Sequence, residues 1–193
     1  MRTTYCLHNG KEEHMTPFEI FDWRKYDTLH AVTFSCSKKF IWKYFLYYRQ
    51  VDLTVGISNY SMQHTMQLAL NQLNEYYKNG YSNPLSSDIK SEYGGATLRV
   101  PIHGVIHSKI YLLLNSVTGS TRVVTGSANL SEAAFYNSKD QYEEIIVSDL
   151  KSDYEKYMKR YKEDILPNTM SYLPKDVKQY LKKLGYFQKK NNK

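Results

Sequence analysis

The feature that most constrains this chain is an alternation of two periodicities within its first eighty residues. Residues 29–35 (LHAVTFS) are short, β-branched and aromatic, as a buried strand requires. Directly after them Phe40, Ile41, Tyr44, Phe45 and Tyr48 recur at helical spacing. Residues 51–57 (VDLTVGI) repeat the strand signal, and Met62, Met66, Ala69, Leu70, Leu73 and Tyr77 mark one face of a helix ending near Gly80. Such a β-α-β-α run feeds a mostly parallel or mixed central sheet flanked by helices on both faces, so the fold class expected is α/β.

Downstream, the polar stretch 81–95 (YSNPLSSDIKSEYGG) forms a loop by composition. Residues 96–105 and 106–114 are apolar runs suited to strands, NSVTGST is a polar turn, and 122–125 opens the return strand of a hairpin. Residues 129–135 suggest a helix start, 143–147 (EEIIV) a strand, and 153–165 a helix with Tyr154, Tyr157, Met158 and Tyr161 on one face. Pro167 and Pro174 bracket a linker before a basic helix over 175–184. The organisation expected is a lead-in over 1–27, a body over 28–165, and a basic C-terminal helix and tail over 166–193.

The net charge of +7 lies entirely beyond residue 150, because acidic and basic residues balance before that point. A basic end attracts polyanions such as nucleic acid, and it is equally the composition of a solvated helix face. No apolar run approaches the roughly 18 residues a membrane span needs, and the N-terminus lacks a charged-then-apolar order. The chain is therefore expected to be soluble and cytoplasmic, with no membrane association. Cys6 and Cys36 stand far apart without a CxxC or a paired histidine, so neither a disulfide framework nor a zinc site is expected, and no cofactor is implied. The 19 tyrosines fall mostly at helical spacings beside Phe, Leu and Met, the pattern of an aromatic core rather than of base stacking.

The chemistry concentrates in two short segments. In His107-Ser108-Lys109, on an apolar strand, residues two apart share a face, so imidazole and ammonium project side by side, about 7 Å apart along the chain. In Gly126-Ser127-Ala128-Asn129-Leu130-Ser131, at a strand-to-helix turn, glycine permits close backbone approach while Ser127, Asn129 and backbone N–H groups can face an anion. Together these groups suit phosphoryl transfer: an imidazole attacks phosphorus while a lysine and an amide neutralise the equatorial oxygens.

The two segments together resemble the phospholipase D superfamily, whose signature is His-x-Lys, four residues, Asp, six residues, Gly-Ser-x-Asn. His107, Lys109, Gly126, Ser127 and Asn129 match it, and Glu143 or Glu144 stands where the superfamily has an acid entering a strand. Leu114 replaces the signature aspartate, and the Lys-to-Gly spacing is longer, with the extra residues in the NSVTGST turn. Glu143 and Glu144 alternate faces on a strand, so one of them faces the site, and the place of Glu143 ahead of the apolar run favours it. His103 shares the parity of His107, but Gly104 can carry a bulge, so a structural role is expected for it.

The superfamily brings two motifs together and this chain holds one, so the resemblance implies a homodimer with a shared site. In that arrangement His107 of one subunit attacks phosphorus and His107 of the other protonates the leaving oxygen. Lys109, Asn129 and Ser127 hold the phosphate oxygens, Gly126 admits the substrate, and Glu143 orients an imidazole, with no metal required. Single-motif members are mostly nucleases, so the resemblance implies a phosphodiesterase acting on DNA or RNA, with Lys182 and Lys183 of the basic end as substrate contacts. A helicase or defence-system partner is compatible with that role but is named by no residue here. Two other functions fit the motif: a phospholipid phosphodiesterase, for which 81–95 is too polar to supply an apolar loop, and a silent nucleic-acid-binding or dimerisation module, hinted at by Leu114.

Overall fold

The computed structural model describes residues 2–7, 15–79, 95–136, 143–175 and 179. Among these residues one sheet is built from β1 (Arg2–Leu7), β2 (Thr28–Thr33), β3 (Gln50–Val55), β4 (Gly95–Pro101), β5 (Ile110–Leu114), β6 (Thr121–Gly126), β7 (Glu143–Ser148) and β8 (Thr169–Ser171). Their order across the sheet is β1-β7-β6-β5-β2-β3-β4-β8. The helices are α1 (Pro17–Ile20), α2 (Lys38–Tyr44), α3 (Tyr60–Lys78), α4 (Glu132–Tyr136) and α5 (Lys151–Arg160).

The sheet is mixed. The neighbours β2/β3 and β3/β4 are parallel, joined through α2 and α3 as parallel pairing demands, and the other described pairs are antiparallel. Ser37 accepts the Phe40 N–H at 3.1 Å and Asn59 the Met62 N–H at 3.2 Å, so each crossover helix starts at a side-chain cap. Strand alternation then sorts the core into two layers. Leu29, Ala31, Leu53, Val55, Tyr111 and Leu113 meet Phe40, Phe45, Leu70 and Leu73 on one face. On the other face Val32, Ile110, Leu112 and Val123 meet Tyr154 and Tyr161. Helices thus cover both faces, as the α/β class requires.

The structure departs from the sequence-based expectations in several places. Residues 105–109 carry no regular structure, so His107 and Lys109 precede β5 rather than lying within it. Pro101 ends β4, Gly104 adopts a left-handed φ of +65°, and the next ladder starts only where Ile110 pairs with Val32 and Thr125. Helix α4 begins at Glu132 rather than near 129, because Leu130 is held in a parallel bridge to Cys36. The helix expected over 153–165 is α5, continued by a π-turn at Tyr161–Ile165. β1 and β8 come from the segments expected as lead-in and tail, and both join the sheet. A three-residue edge strand such as β8 is too short to show a period-2 signal. Apart from Gly95, the expected loop over 81–95 lies outside the described residues, as do Lys182, Lys183 and most of the helix over 175–184. No helix among the described residues is long and apolar enough to cross a membrane.

At the end of the sheet where β6 starts, Arg122 is buried and ties three elements together. Its Nε and Nη2 donate to the Asp149 carboxylate at 2.6 and 2.9 Å, its Nη1 donates to the Glu19 carbonyl at 2.7 Å, and its guanidinium lies 5.4 Å from the Tyr26 ring centre. Arg122→Met leaves the Glu19 carbonyl and Asp149 without this donor and is expected to lower the unfolding free energy by about 3 kcal/mol. A urea midpoint matching that of the wild type would show that the network contributes nothing.

Candidate active site

The pairings Val32–Ile110, Ile110–Thr125 and Gly126–Ile145 bring the ends of β2 and β6 and the starts of β5 and β7 to one end of the sheet. This is also the carboxyl end of the parallel strands, where open α/β sheets usually bind ligands. The segment carrying His107 is laid across it by a backbone contact. Ile106 N–H donates to the Gly56 carbonyl at 3.2 Å, and a Cβ on Gly56 would stand 1.7 Å from the Ile106 oxygen. Only glycine permits that approach.

His107 is exposed, whereas Lys109 is 8% exposed. The Lys109 ammonium donates to the His107 carbonyl at 3.0 Å and lies 3.1 and 3.4 Å from Nδ1 and Nε2 of the ring. Phe34, just past β2, sets its ring 4.8 Å from the imidazole centre and 5.9 Å from the Lys109 ammonium. The two side chains therefore meet side by side, as strand alternation predicts, although an irregular segment holds them. Burial pushes the Lys109 ammonium below the usual lysine value, and the Glu143 carboxylate pulls it partly back.

The glycine-serine turn is held from two sides. Gly126 has φ +152°, and a Cβ there would stand 2.0 Å from the Glu144 carbonyl. Ser127 N–H donates to that carbonyl at 2.9 Å, while the Ser127 hydroxyl accepts the Glu144 N–H at 3.0 Å and donates to the Glu143 carboxylate. Its proton is thus directed at Glu143 and not outward to an anion. The Asn129 Oδ1 lies 3.3 Å from both the Ser35 N–H and the Thr33 hydroxyl. Because a backbone N–H can only donate, this contact fixes the amide orientation and turns Nδ2 away from β2. Tyr111 donates to the Ala128 carbonyl from beneath the turn.

Of the two acids, Glu143 faces the site and Glu144 is exposed. No hydrogen bond joins Glu143 to His107 among the described residues, so the acid holds Ser127 where the resemblance implies it orients the imidazole. Leu114 lies five residues from Lys109 along β5, about 16 Å away, packed against the apolar layer beneath α5. The missing aspartate therefore removes nothing from the end of the sheet where His107 stands. His103 is exposed in the bend after β4. Among the described residues no three His, Cys, Asp or Glu side chains cluster as a metal site would require. Sequence alone does not single out Phe34, Thr33, Tyr111 or Gly56, and the one available signal is a glycine at a strand end.

The Gly56 contact makes a direct prediction. Gly56→Ala must displace the Ile106 backbone and His107 with it, and a shift near 1 Å costs about 100-fold in turnover. The variant should keep a wild-type circular dichroism spectrum. Unchanged kcat would show that Gly56 does not place His107.

A mixed sheet presenting His107, Lys109 and a GSxN turn at one end defines a phospholipase D-like domain. More narrowly, the chain belongs to the family of NgoFVII restriction endonuclease N-terminal PLD domains, which matches residues 44–179, and is a nuclease-like phosphodiester hydrolase domain. Solved structures that resemble its fold include NucT and Nuc. NucT from Helicobacter pylori superposes with a TM-score of 0.54 at 14% identity, covering 89% of this chain and 100% of its own. Nuc from Salmonella typhimurium, a phospholipase D family member, gives 0.51 at 13% identity, covering 90% of this chain and 100% of its own. No curated protein matches the sequence.

Proposed function

We propose that the domain is a cytoplasmic, metal-independent phosphodiesterase that hydrolyses nucleic acid through a phosphohistidine on His107. The observation that carries this reading is the exposed imidazole with a buried ammonium 3.1 Å from its ring, beside the Asn129 amide turn at the open end of the sheet. An imidazole nitrogen attacks phosphorus, a P–N bond forms, and the P–O bond to the leaving nucleoside breaks. The leaving oxygen takes its proton from His107 of a second subunit across a two-fold axis. Water then attacks the phosphohistidine, gives its proton to that second imidazole, and frees the first. Lys109 and Asn129 Nδ2 neutralise the nonbridging oxygens, while Ser127 and Glu143 brace the turn. Gly126 lets the backbone approach the substrate, and Lys182 and Lys183 add phosphate contacts from the basic end. The substrate assignment draws support from the family and from the charge beyond residue 150.

Labelled single- and double-stranded DNA and RNA, incubated with the protein in EDTA, should be cut. Abolition by the chelator with rescue by Mg²⁺ would sink the mechanism. The pH profile supplies a second arm. Lys109 must keep its proton to bind phosphate, and burial disfavours its charged form, so kcat/KM should fall at a pH below the ordinary lysine value of 10.5. Lys109→Arg should lower the rate and move that alkaline limb upward, because guanidinium stays protonated. An unmoved limb would assign it to another group.

A further inference from the structure

A second aromatic group lies at the sheet edge formed by β4 and β8, outside the His107 constellation. Tyr60 opens α3 and His64 stands one turn further on, their rings 5.9 Å apart and 10° from parallel. Tyr172, just past β8, places its hydroxyl 3.2 Å from His64 Nδ1 and its ring 6.0 Å from that of Tyr60. His64 is exposed and both tyrosines are partly so. Tyr60 and His64 belong to neither buried apolar layer.

The group starts near the end of the sheet that carries the site, at Tyr60, and runs down the edge to Tyr172, whose N–H donates to the Leu98 carbonyl at 2.8 Å. The Gly56 carbonyl holds Ile106, next to His107, and the chain from Gly56 to Tyr60 spans at most about 14 Å. The Tyr60 hydroxyl in turn accepts the Lys175 backbone N–H at 2.8 Å. From Lys175 onward the sequence holds seven lysines against a single acidic residue, nearly all of the net charge of the chain.

We propose that Tyr60, His64 and Tyr172 form a stacking platform for unpaired bases of a single-stranded nucleic acid whose backbone reaches the His107 site. The proposal rests on the nuclease reading and adds a strand preference to it. Planar rings stack on any base, but only where the base faces are not already covered by neighbours in a duplex. Lys175, held at Tyr60, opens a sequence of the sign a phosphate backbone requires, and planar rings, two of which join neither apolar layer, suit bases better than acyl chains.

The bland role for these rings is to bracket the chain leaving β8 against α3, and the test separates the two. Binding is measured by anisotropy with a fluorescent oligothymidylate and with a duplex of equal length, and hydrolysis with bis(p-nitrophenyl) phosphate. His64→Ala and Tyr60→Leu should each weaken oligothymidylate binding by about 5- to 100-fold. The slope of log affinity against log salt should stay constant, because stacking releases no counterions. Duplex affinity and small-diester hydrolysis should also hold. Tyr60→Phe loses the Lys175 bond but keeps the ring, and should bind as the wild type does. Wild-type affinity in His64→Ala, or a loss shared equally by the duplex, overturns the platform. If the wild-type chain hydrolyses the small diester but neither binds nor cuts nucleic acid, the nuclease reading fails and the platform falls with it.

Discussion

Replacing His107 by asparagine is expected to lower kcat on an oligonucleotide by about 10⁴-fold or more, since a residue that is both nucleophile and acid loses both roles at once. Asparagine can form no stable P–N bond and supplies no proton at neutral pH. The imidazole is exposed, and among the described residues its ring rests against Phe34 and Lys109, so the fold should survive the change. A thermal melt near that of the wild type makes the kinetic loss interpretable. With the wild type, acid-stable and acid-labile phosphate can be compared after rapid quenching, and the labile fraction should vanish in the variant. A residual rate above about one part in a hundred would be a smaller loss than removal of general acid–base catalysis alone brings, and would remove His107 from the nucleophile's role.

Mixing equal amounts of wild-type and His107→Asn chains, and letting subunits exchange, should leave about one quarter of the activity of the same total amount of wild type, because random pairing yields that fraction of fully wild-type dimers. In the proposed mechanism each phosphate takes an imidazole from either side, so a dimer with one defective subunit should be dead. Retention of one half would mean that each chain works alone. Dilution gives an independent readout: specific activity should fall at the concentration where sedimentation shows the dimer dissociating.

The parallel half of the sheet was legible because its strands and crossover helices are local patterns. Phe40, Ile41, Tyr44 and Phe45 are all buried at the spacing their sequence predicts, and so are Met66, Leu70 and Leu73. The candidate site residues His107, Lys109 and Asn129 were legible as residue types. Their placement was not, because it depends on partners remote in sequence. Whether 105–109 forms a strand is decided at Gly56, some fifty residues earlier, and whether Glu143 or Glu144 faces the site is decided by the register of Gly126 against Ile145. The hydroxyl of Ser127 shows the same limit, since its engagement with both neighbouring glutamates exists only once β7 docks. Tyr44, Tyr48 and Tyr111 lie in the core as helical and strand patterning implies, whereas Tyr60 and Tyr172 are only partly buried.

The position of β7 between β6 and β1 bears on when the molecule becomes active. β1 emerges first during synthesis, yet its partner is made some 140 residues later, and that same partner carries Glu143 and supplies the carbonyl and N–H that hold Ser127. The Gly126–Asn129 turn therefore cannot take this form until β7, far later in the chain than β2 and β3, has docked. Contacts of such wide sequence separation form late in folding. In the proposed mechanism hydrolytic competence waits on β7, the strand that pairs with β1 and holds Ser127.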